Sequence, residues 1–255
     1  VIDKDEVIHY HGTPIWGNKG DVLKIAVRGA GAFVSYARPD QIKSCLEWSI
    51  STAIDNGAFS AWKRGLRIDW VEFYKWLMKY YFNDKVNFFI IPDEIDGSEQ
   101  ENNKLIKSVP LMFKDKACPV WHLHESLDKL DWLCGDFERV ALGSSGEYRA
   151  IRSPSWKVRM EQAFNVVSKG NHKTKIHGLR MLDGRVLGNY PLTTADSTNI
   201  ACNVPKYKSK YPALGGHILN RVPFTVEDKN ELLAYRCASM KNTIEKVKPP
   251  VKTVI

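Results

Sequence analysis

VNFFIIPDEIDG, residues 86–97, is the stretch on which the fold turns. Its first six residues carry no charge and do not alternate between apolar and polar. That pattern suits a strand buried on both faces of a parallel sheet better than an exposed antiparallel ribbon. The run ends in Asp93 and Glu94. Buried carboxylates are costly unless they are paired or hydrogen-bonded, so acids at this place need a polar ligand or a structural partner. A guanine-like base offers an N–H and an amino group side by side, which one carboxylate accepts, and Asp93 is the base-reading candidate. A helix N-cap is the other reading of the same residue.

Short apolar runs of the same kind recur at 23–27, 33–36, 51–54, 119–123, 139–142, 175–179 and, more weakly, 194–200. Helix signals fall between them. Asp69 with Glu72 forms a capping box ahead of Val71, Phe73, Tyr74, Leu77 and Tyr81. Ser153-Pro154 places a cap and a first-turn proline ahead of Val158, Ala163, Phe164 and Val167. Ser98 begins a helix through Leu105 and Ile106, and Thr225 with Asp228 opens a last one through Leu232, Leu233 and Tyr235. Eight strands alternating with helices predict an α/β fold, a single-domain (β/α)8 TIM-type barrel over 1–245 with an extended Lys- and Pro-rich tail at 246–255. A doubly wound open sheet is the alternative. In either architecture chemistry gathers at the C-terminal ends of the strands.

The 255 residues carry 37 Lys and Arg against 29 Asp and Glu, a net charge of +8, which suits a polyanionic partner. No run approaches the roughly 18 apolar residues of a membrane helix, and residues 1–11 show no signal-peptide pattern. A cytoplasmic protein is expected. Cys45, Cys118, Cys134, Cys202 and Cys237 are scattered without a Cys-x-x-Cys pair, as expected of reduced, mostly buried thiols.

Three further segments carry chemistry. In STAIDNGAF (51–59) a strand delivers Asp55, a glycine that allows close backbone approach, and Phe59, which can stack on a flat base; Asp-Asn-Gly is equally turn chemistry. In VALGSSGEY (140–148), Gly143, Ser144, Ser145, Gly146 and Glu147 follow a strand and expose backbone N–H groups suited to a carbonyl or a phosphate. No Gly-Lys-Ser/Thr is present, which disfavours a nucleoside triphosphatase, and no Gly-x-Ser-x-Gly elbow surrounds either serine. In PLTTADST (191–198) hydroxyls flank Asp196, a carboxylate able to attack an anomeric carbon. His9-x-His11 and His122-x-His124 each put two imidazoles on one strand face, a metal-binding alternative without a recognisable Cys partner. His177 ends another strand and shapes the pocket floor. Lys63, Arg64 and Arg67 follow the Asp55 loop. Lys206, Lys208 and Lys210 alternate with Tyr207 and Tyr211, a pattern that grips backbone and stacks on bases, or else a solvated charged loop.

IDNGAF (54–59), IIPDEIDG (90–97), ALGSSGEY (141–148), IHGL (176–179) and the aspartate of TTADST (193–198) together resemble the tRNA-guanine transglycosylase superfamily, in the order that family has them. The resemblance covers about residues 50–203 and is strongest to the DpdA-like phage and bacterial branch, which modifies DNA. At the first motif Asp55, Gly57 and Phe59 match the family's Asp-Ser-Gly-Gly-Phe, while Asn56 and Ala58 depart from it. The resemblance implies a (β/α)8 barrel that exchanges guanine in nucleic acid for a free 7-deazaguanine base, with no cofactor and no metal in the reaction. It also implies roles: Asp55 general acid/base, Asp196 nucleophile, Phe59 stacking, Asp93 reading the heterocycle, residues 143–147 and His177 lining its pocket. The tRNA enzymes carry a Cys-x-Cys-x-x-Cys and His zinc cluster. That spacing is missing here, and the chain is shorter, so DNA is the expected polymer and tRNA the alternative. A hydrolytic glycosylase and a non-catalytic nucleic-acid-binding barrel are the remaining readings.

Overall fold

Successive strand residues point to opposite faces of a sheet, and here both directions are buried. Tyr10, Phe33, Ala53, Phe88, Ile90, Val120 and Ala141 pack together on one side. Ala32, Val34, Ile54, Phe89, Leu142 and Ala195 pack on the other, with the helices. Two apolar layers separated by one sheet are what a barrel wrapped in helices requires. The computed structural model describes residues 3–17, 21–170, 172–205 and 229–250.

Among these, nine parallel strands run through the chain: β1 (His9–Gly12), β2 (Gly31–Ser35), β3 (Ser51–Asp55), β4 (Val86–Ile90), β5 (Ala117–Cys118), β6 (Val120–His122), β7 (Arg139–Gly143), β8 (Lys175–Gly178) and β9 (Thr194–Ser197). They pair in the order β5-β4-β3-β2-β1-β9-β8-β7-β6. The two edges, β5 and β6, are successive pieces of one extended run broken at Pro119, which has no N–H to give a ladder. Backbone bonds tie that run to both neighbours: Ile91 N–H donates to Cys118 O at 3.0 Å and Ala141 N–H to Pro119 O at 2.8 Å. Counted by run the barrel has eight staves, and it closes on itself as a single domain.

The helices are α1 (Asp21–Val27), α2 (Ile42–Trp48), α3 (Ala58–Trp62), α4 (Trp70–Tyr81), α5 (Glu99–Lys107), α6 (Leu127–Asp136), α7 (Pro154–Lys169), α8 (Gly184–Leu187), α9 (Asn199–Asn203) and α10 (Lys229–Glu245). Their starts follow cap chemistry. Asp69 accepts from Val71 N–H and Glu72 N–H, and Ser153 accepts from Trp156 N–H ahead of Pro154. Glu72 does not complete a capping box; its carboxylate takes Lys75 instead, at 2.7 Å. The reciprocal box is at Ser98 and Glu101.

Two strand expectations also need correction. Residues 23–27, expected as a strand, lie in α1, where Val22, Leu23, Ala26 and Val27 are buried at helical spacing. A short apolar run does not by itself separate the two states. The first stave is β1, with Tyr10 inside the barrel and His9 and His11 outside against the end of α10. Residues 198–200, expected to extend a strand, instead turn into α9. Thr225, Asp228, Lys206, Tyr207, Lys208, Lys210 and Tyr211 lie outside the described residues. Of the tail, Val247 is docked on the barrel: its carbonyl meets His9 Nε2 at 2.9 Å.

Candidate active site

Because the described strands are all parallel, their C-terminal ends share one mouth. Asp55 closes β3, Asp93 follows β4 by three residues, His122 closes β6, Gly143 closes β7, and Asp196 is the third residue of β9. The apolar runs therefore deliver these groups to one place.

Asp55 is half-buried. Burial pushes its carboxyl up to about 7, and the charges of Asp196 and Asp93 add to the effect against the Ser35 hydroxyl and Gly57 N–H, which favour the anion. Gly57 N–H donates to Asp55 Oδ2 at 3.2 Å. Gly57 has φ +82°, and a Cβ there would stand 2.8 Å from the backbone nitrogen of Ala37. Only glycine fits this bend, which starts α3 and presents Phe59 at the rim.

Asn56, a departure from the resembled motif, is buried and has a structural task. Its amide donates to Asp93 Oδ1 at 2.7 Å and Ile91 O at 2.6 Å, and its Oδ1 accepts from Ala58 N–H at 2.8 Å. Asp93 Oδ2 stands 3.0 Å from His122 Nε2. Burial works against charge on His122, but Asp93 and Glu125 outweigh it and hold its pKa above the ordinary value. Asp93 is thus hydrogen-bonded by Asn56 on one oxygen and faced by the His122 ring on the other, and each oxygen keeps a lone pair for a ligand.

Asp196 is buried, and its Oδ1 accepts from Arg180 N–H at 2.9 Å. Arg180 is a non-glycine residue at φ +60°, a conformation found where surrounding structure over-determines it. Its guanidinium lies 5.1 Å from the Phe59 ring and donates to Ser144 O at 2.9 Å. Arg180 therefore ties three site segments together, a part sequence reasoning missed: the link runs through a backbone N–H and a left-handed φ that no residue type announces.

Of the other expected site residues, Gly143 and Ser144 are buried at the end of β7, with Ser144 Oγ accepting from Trp156 Nε1 at 2.9 Å. Ser145 Oγ meets His124 Nδ1 at 2.9 Å, and Gly146 and Glu147 are exposed on the rim. Phe59 is 43% exposed and tilts against Trp62 with ring centres 5.8 Å apart. His177 is placed differently from expectation. It has no exposed surface and lies beneath Asp196, so it reaches a bound base only through that carboxylate. Lys63, Arg64 and Arg67 are exposed after α3. A cleft of about 850 Å³ lined by Trp62, Arg67, Trp70, Asp93 and Asp96 opens beside the carboxylates. A second cleft, about 600 Å³, lies at the opposite end of the barrel by Leu111, Met112 and Phe137.

The histidine pairs are engaged with protein groups: His9 with Val247 O, His11 with Glu245, His122 with Asp93 and His124 with Ser145. Among the described residues no group of three or more His, Cys, Asp or Glu is placed to hold a metal ion. No described helix is long and apolar enough to cross a membrane.

No protein-family model and no curated protein matches the chain. Among solved structures, the crystal structure of a candidate fructose-1,6-biphosphate aldolase from Coccidioides immitis matches with a TM-score of 0.55 at 10% identity, over 95% of this chain and 90% of that one. A protein from Aquifex aeolicus VF5 matches at a TM-score of 0.45 and 12% identity, over 95% of both chains, and is too distant to bear on the fold. The first likeness shows the barrel and nothing of its chemistry.

Proposed function

We propose that this barrel is a base-exchange transglycosylase, an enzyme that replaces guanine in nucleic acid, DNA in preference to tRNA, with a free 7-deazaguanine base. The observation that carries the reading is the pairing of unlike carboxyls at one mouth: Asp55 held at about 7, and Asp196 buried and oriented by the Arg180 N–H. Two carboxyl groups set to different tasks by their environments are what glycosyl transfer through a covalent sugar needs.

The target nucleotide leaves its stack to present C1′, at a cost of a few kcal/mol in a duplex. An Asp196 oxygen forms a bond to C1′ as the C1′–N9 bond breaks, and guanine N9 takes the Asp55 proton. The 7-deazaguanine then enters the same pocket. Its N9 bonds to C1′, its N9 proton returns to Asp55, and Asp196 leaves as a carboxylate. Asp93 accepts the N–H and amino donors of either base with its remaining lone pairs, and Phe59 covers the ring face. A group that both gives and takes a proton works best with a pKa near the operating pH, which is where Asp55 is held.

An aldolase that works through a lysine Schiff base is not favoured. The buried described lysines, Lys129 and Lys241, are bound to Glu125 and to Arg28 O, respectively. The deciding experiment is incubation of the protein with DNA or tRNA and 7-cyano-7-deazaguanine, followed by nucleoside mass spectrometry. The expected product is the 7-deazaguanine nucleoside in the polymer with free guanine released in equal amount. Release of guanine without incorporation would instead make the protein a hydrolytic glycosylase.

A further inference from the structure

We propose that His177 is the positioning residue for Asp196: a one-way hydrogen-bond chain beginning at Arg139 holds it as the Nε2–H tautomer and turns that N–H onto the carboxylate. The inference rests on the reading of Asp196 as the nucleophile.

The chain's direction follows from what each group can donate. Arg139 is buried, with its guanidinium 4.4 Å from the centre of the Phe88 ring, and a guanidinium only donates. Its Nη1 donates to Thr194 Oγ1 at 3.1 Å. With that oxygen accepting, the threonine's own hydrogen is available to His177 Nδ1, 2.8 Å away. An imidazole that accepts at Nδ1 carries its proton on Nε2. Nε2 stands 3.4 Å from Asp196 Oδ1. The opposite tautomer would aim a nitrogen lone pair at an anionic oxygen where no solvent reaches. Burial acts in the same sense, lowering the His177 pKa and keeping the ring neutral despite the nearby Asp196.

The ring is held on every side. Phe33 stacks on it at 5.3 Å, and Phe88 and Tyr10 meet it edge-on at 5.1 and 6.1 Å. Arg180 N–H reaches the same Oδ1 from the mouth at 2.9 Å. The Arg180 hydrogen bond and the His177 N–H thus face one oxygen, and Oδ2 makes no hydrogen bond among the described residues. The geometry therefore assigns the attack to Oδ2. The Nε2 contact is long at rest and falls short of a hydrogen bond. Its N–H is nonetheless aimed at Oδ1, the oxygen on which negative charge returns when Asp196 departs from C1′.

Long-range 1H–15N NMR spectra of the labelled protein at pH 6–8 test the chain without reference to turnover. The expected result is a neutral Nε2–H ring for His177, lost in Thr194→Val and regained in Thr194→Ser, which keeps the hydroxyl. In base exchange, His177→Phe should lower kcat about 10²–10³-fold, the usual cost of one lost donor, with KM nearly unchanged. His177→Gln, which can still donate, should recover at least tenfold of that loss. An Nδ1–H or charged ring in the wild type, or His177→Phe turning over at the wild-type kcat, would overturn the proposal. If His177→Phe does not fold, as judged by circular dichroism, the threonine pair decides. A wild-type protein that exchanges no base sinks the transglycosylase reading alone, and the tautomer still decides whether His177 serves Asp196.

Discussion

At the scale of single residues, Asp55 links the proposed chemistry to stability. Its carboxyl rises from the ordinary 3.8 to about 7 in the folded chain. Below pH 4 it is protonated in both states. Between about pH 4 and 7 the unfolded chain releases that proton while the folded one keeps it, so stability falls as pH rises through this window. Asp55→Asn should therefore abolish exchange yet stabilise the fold at pH 8 by about 1–3 kcal/mol, allowing for solvent at the mouth. Activity assays and urea titrations at pH 5 and pH 8 check both halves; an equal or lower stability at pH 8 would count against the raised Asp55 carboxyl. Exchange by the wild type should itself change with an apparent pKa near 7. Asp196→Asn should lose exchange while nucleic-acid binding survives, since a carboxylate nucleophile has no substitute and affinity comes mostly from phosphate contacts. Turnover by that variant at the wild-type rate would mean that the nucleophile is another group. The three aspartates were legible in the sequence because each ends an apolar run. Asn56, Arg180 and Arg139 were not, since their tasks depend on partners 16 to 55 residues away.

At the scale of elements, the legible parts had a local cause and the illegible ones did not. Asp69, Ser98 and Ser153 mark helix starts by side chains that satisfy N–H groups within three residues. Residues 23–27 misled because LKIAV is apolar enough for a strand, and only burial against the barrel and α10 decides for a helix. β1 was readable only as a histidine pair, because polar outward residues there face α10 and not solvent. The β3–α3 turn combines both kinds of cause: Asp-Asn-Gly announces a turn, while the crowding by Ala37 is known only from the fold. Gly57→Ala should therefore destabilise by about 1–3 kcal/mol, combining left-handed strain with the Ala37 clash. It should also lower exchange more than it lowers binding, because it moves Asp55 and Phe59 together. A thermal melt matching the wild type would show that the turn relaxes without cost.

At the scale of the whole molecule, the barrel supplies a rigid mouth and the charge of +8 supplies attraction to a polyanion. These tasks separate in space. The carboxylates sit at the strand ends, while Lys63, Arg64 and Arg67 are exposed on the chain that leaves α3, with Arg67 on the cleft that reaches Asp93. A phosphate held there would bring the neighbouring nucleotide past Phe59 and Trp62, which stand exposed at the rim. Affinity for DNA should accordingly fall steeply with salt. Neutralising Lys63, Arg64 and Arg67 together should reduce the slope of log affinity against log salt by up to about 2–3, at roughly 0.7 to 0.9 for each lost phosphate contact. Exchange at saturating DNA should change far less, since none of the three touches a carboxylate of the site. The same triple change at Lys206, Lys208 and Lys210 asks whether that segment shares the backbone. DNA is expected over tRNA because the cysteine spacing of the tRNA enzymes' zinc cluster is missing from the sequence. Fluorescence anisotropy with labelled single- and double-stranded DNA and with tRNA, at 50 to 200 mM salt, measures these slopes side by side. A salt slope unchanged by the Lys63, Arg64 and Arg67 substitutions would move the phosphate path to another face. Efficient exchange in tRNA with none in DNA would reverse the choice of polymer and leave the paired aspartates in place.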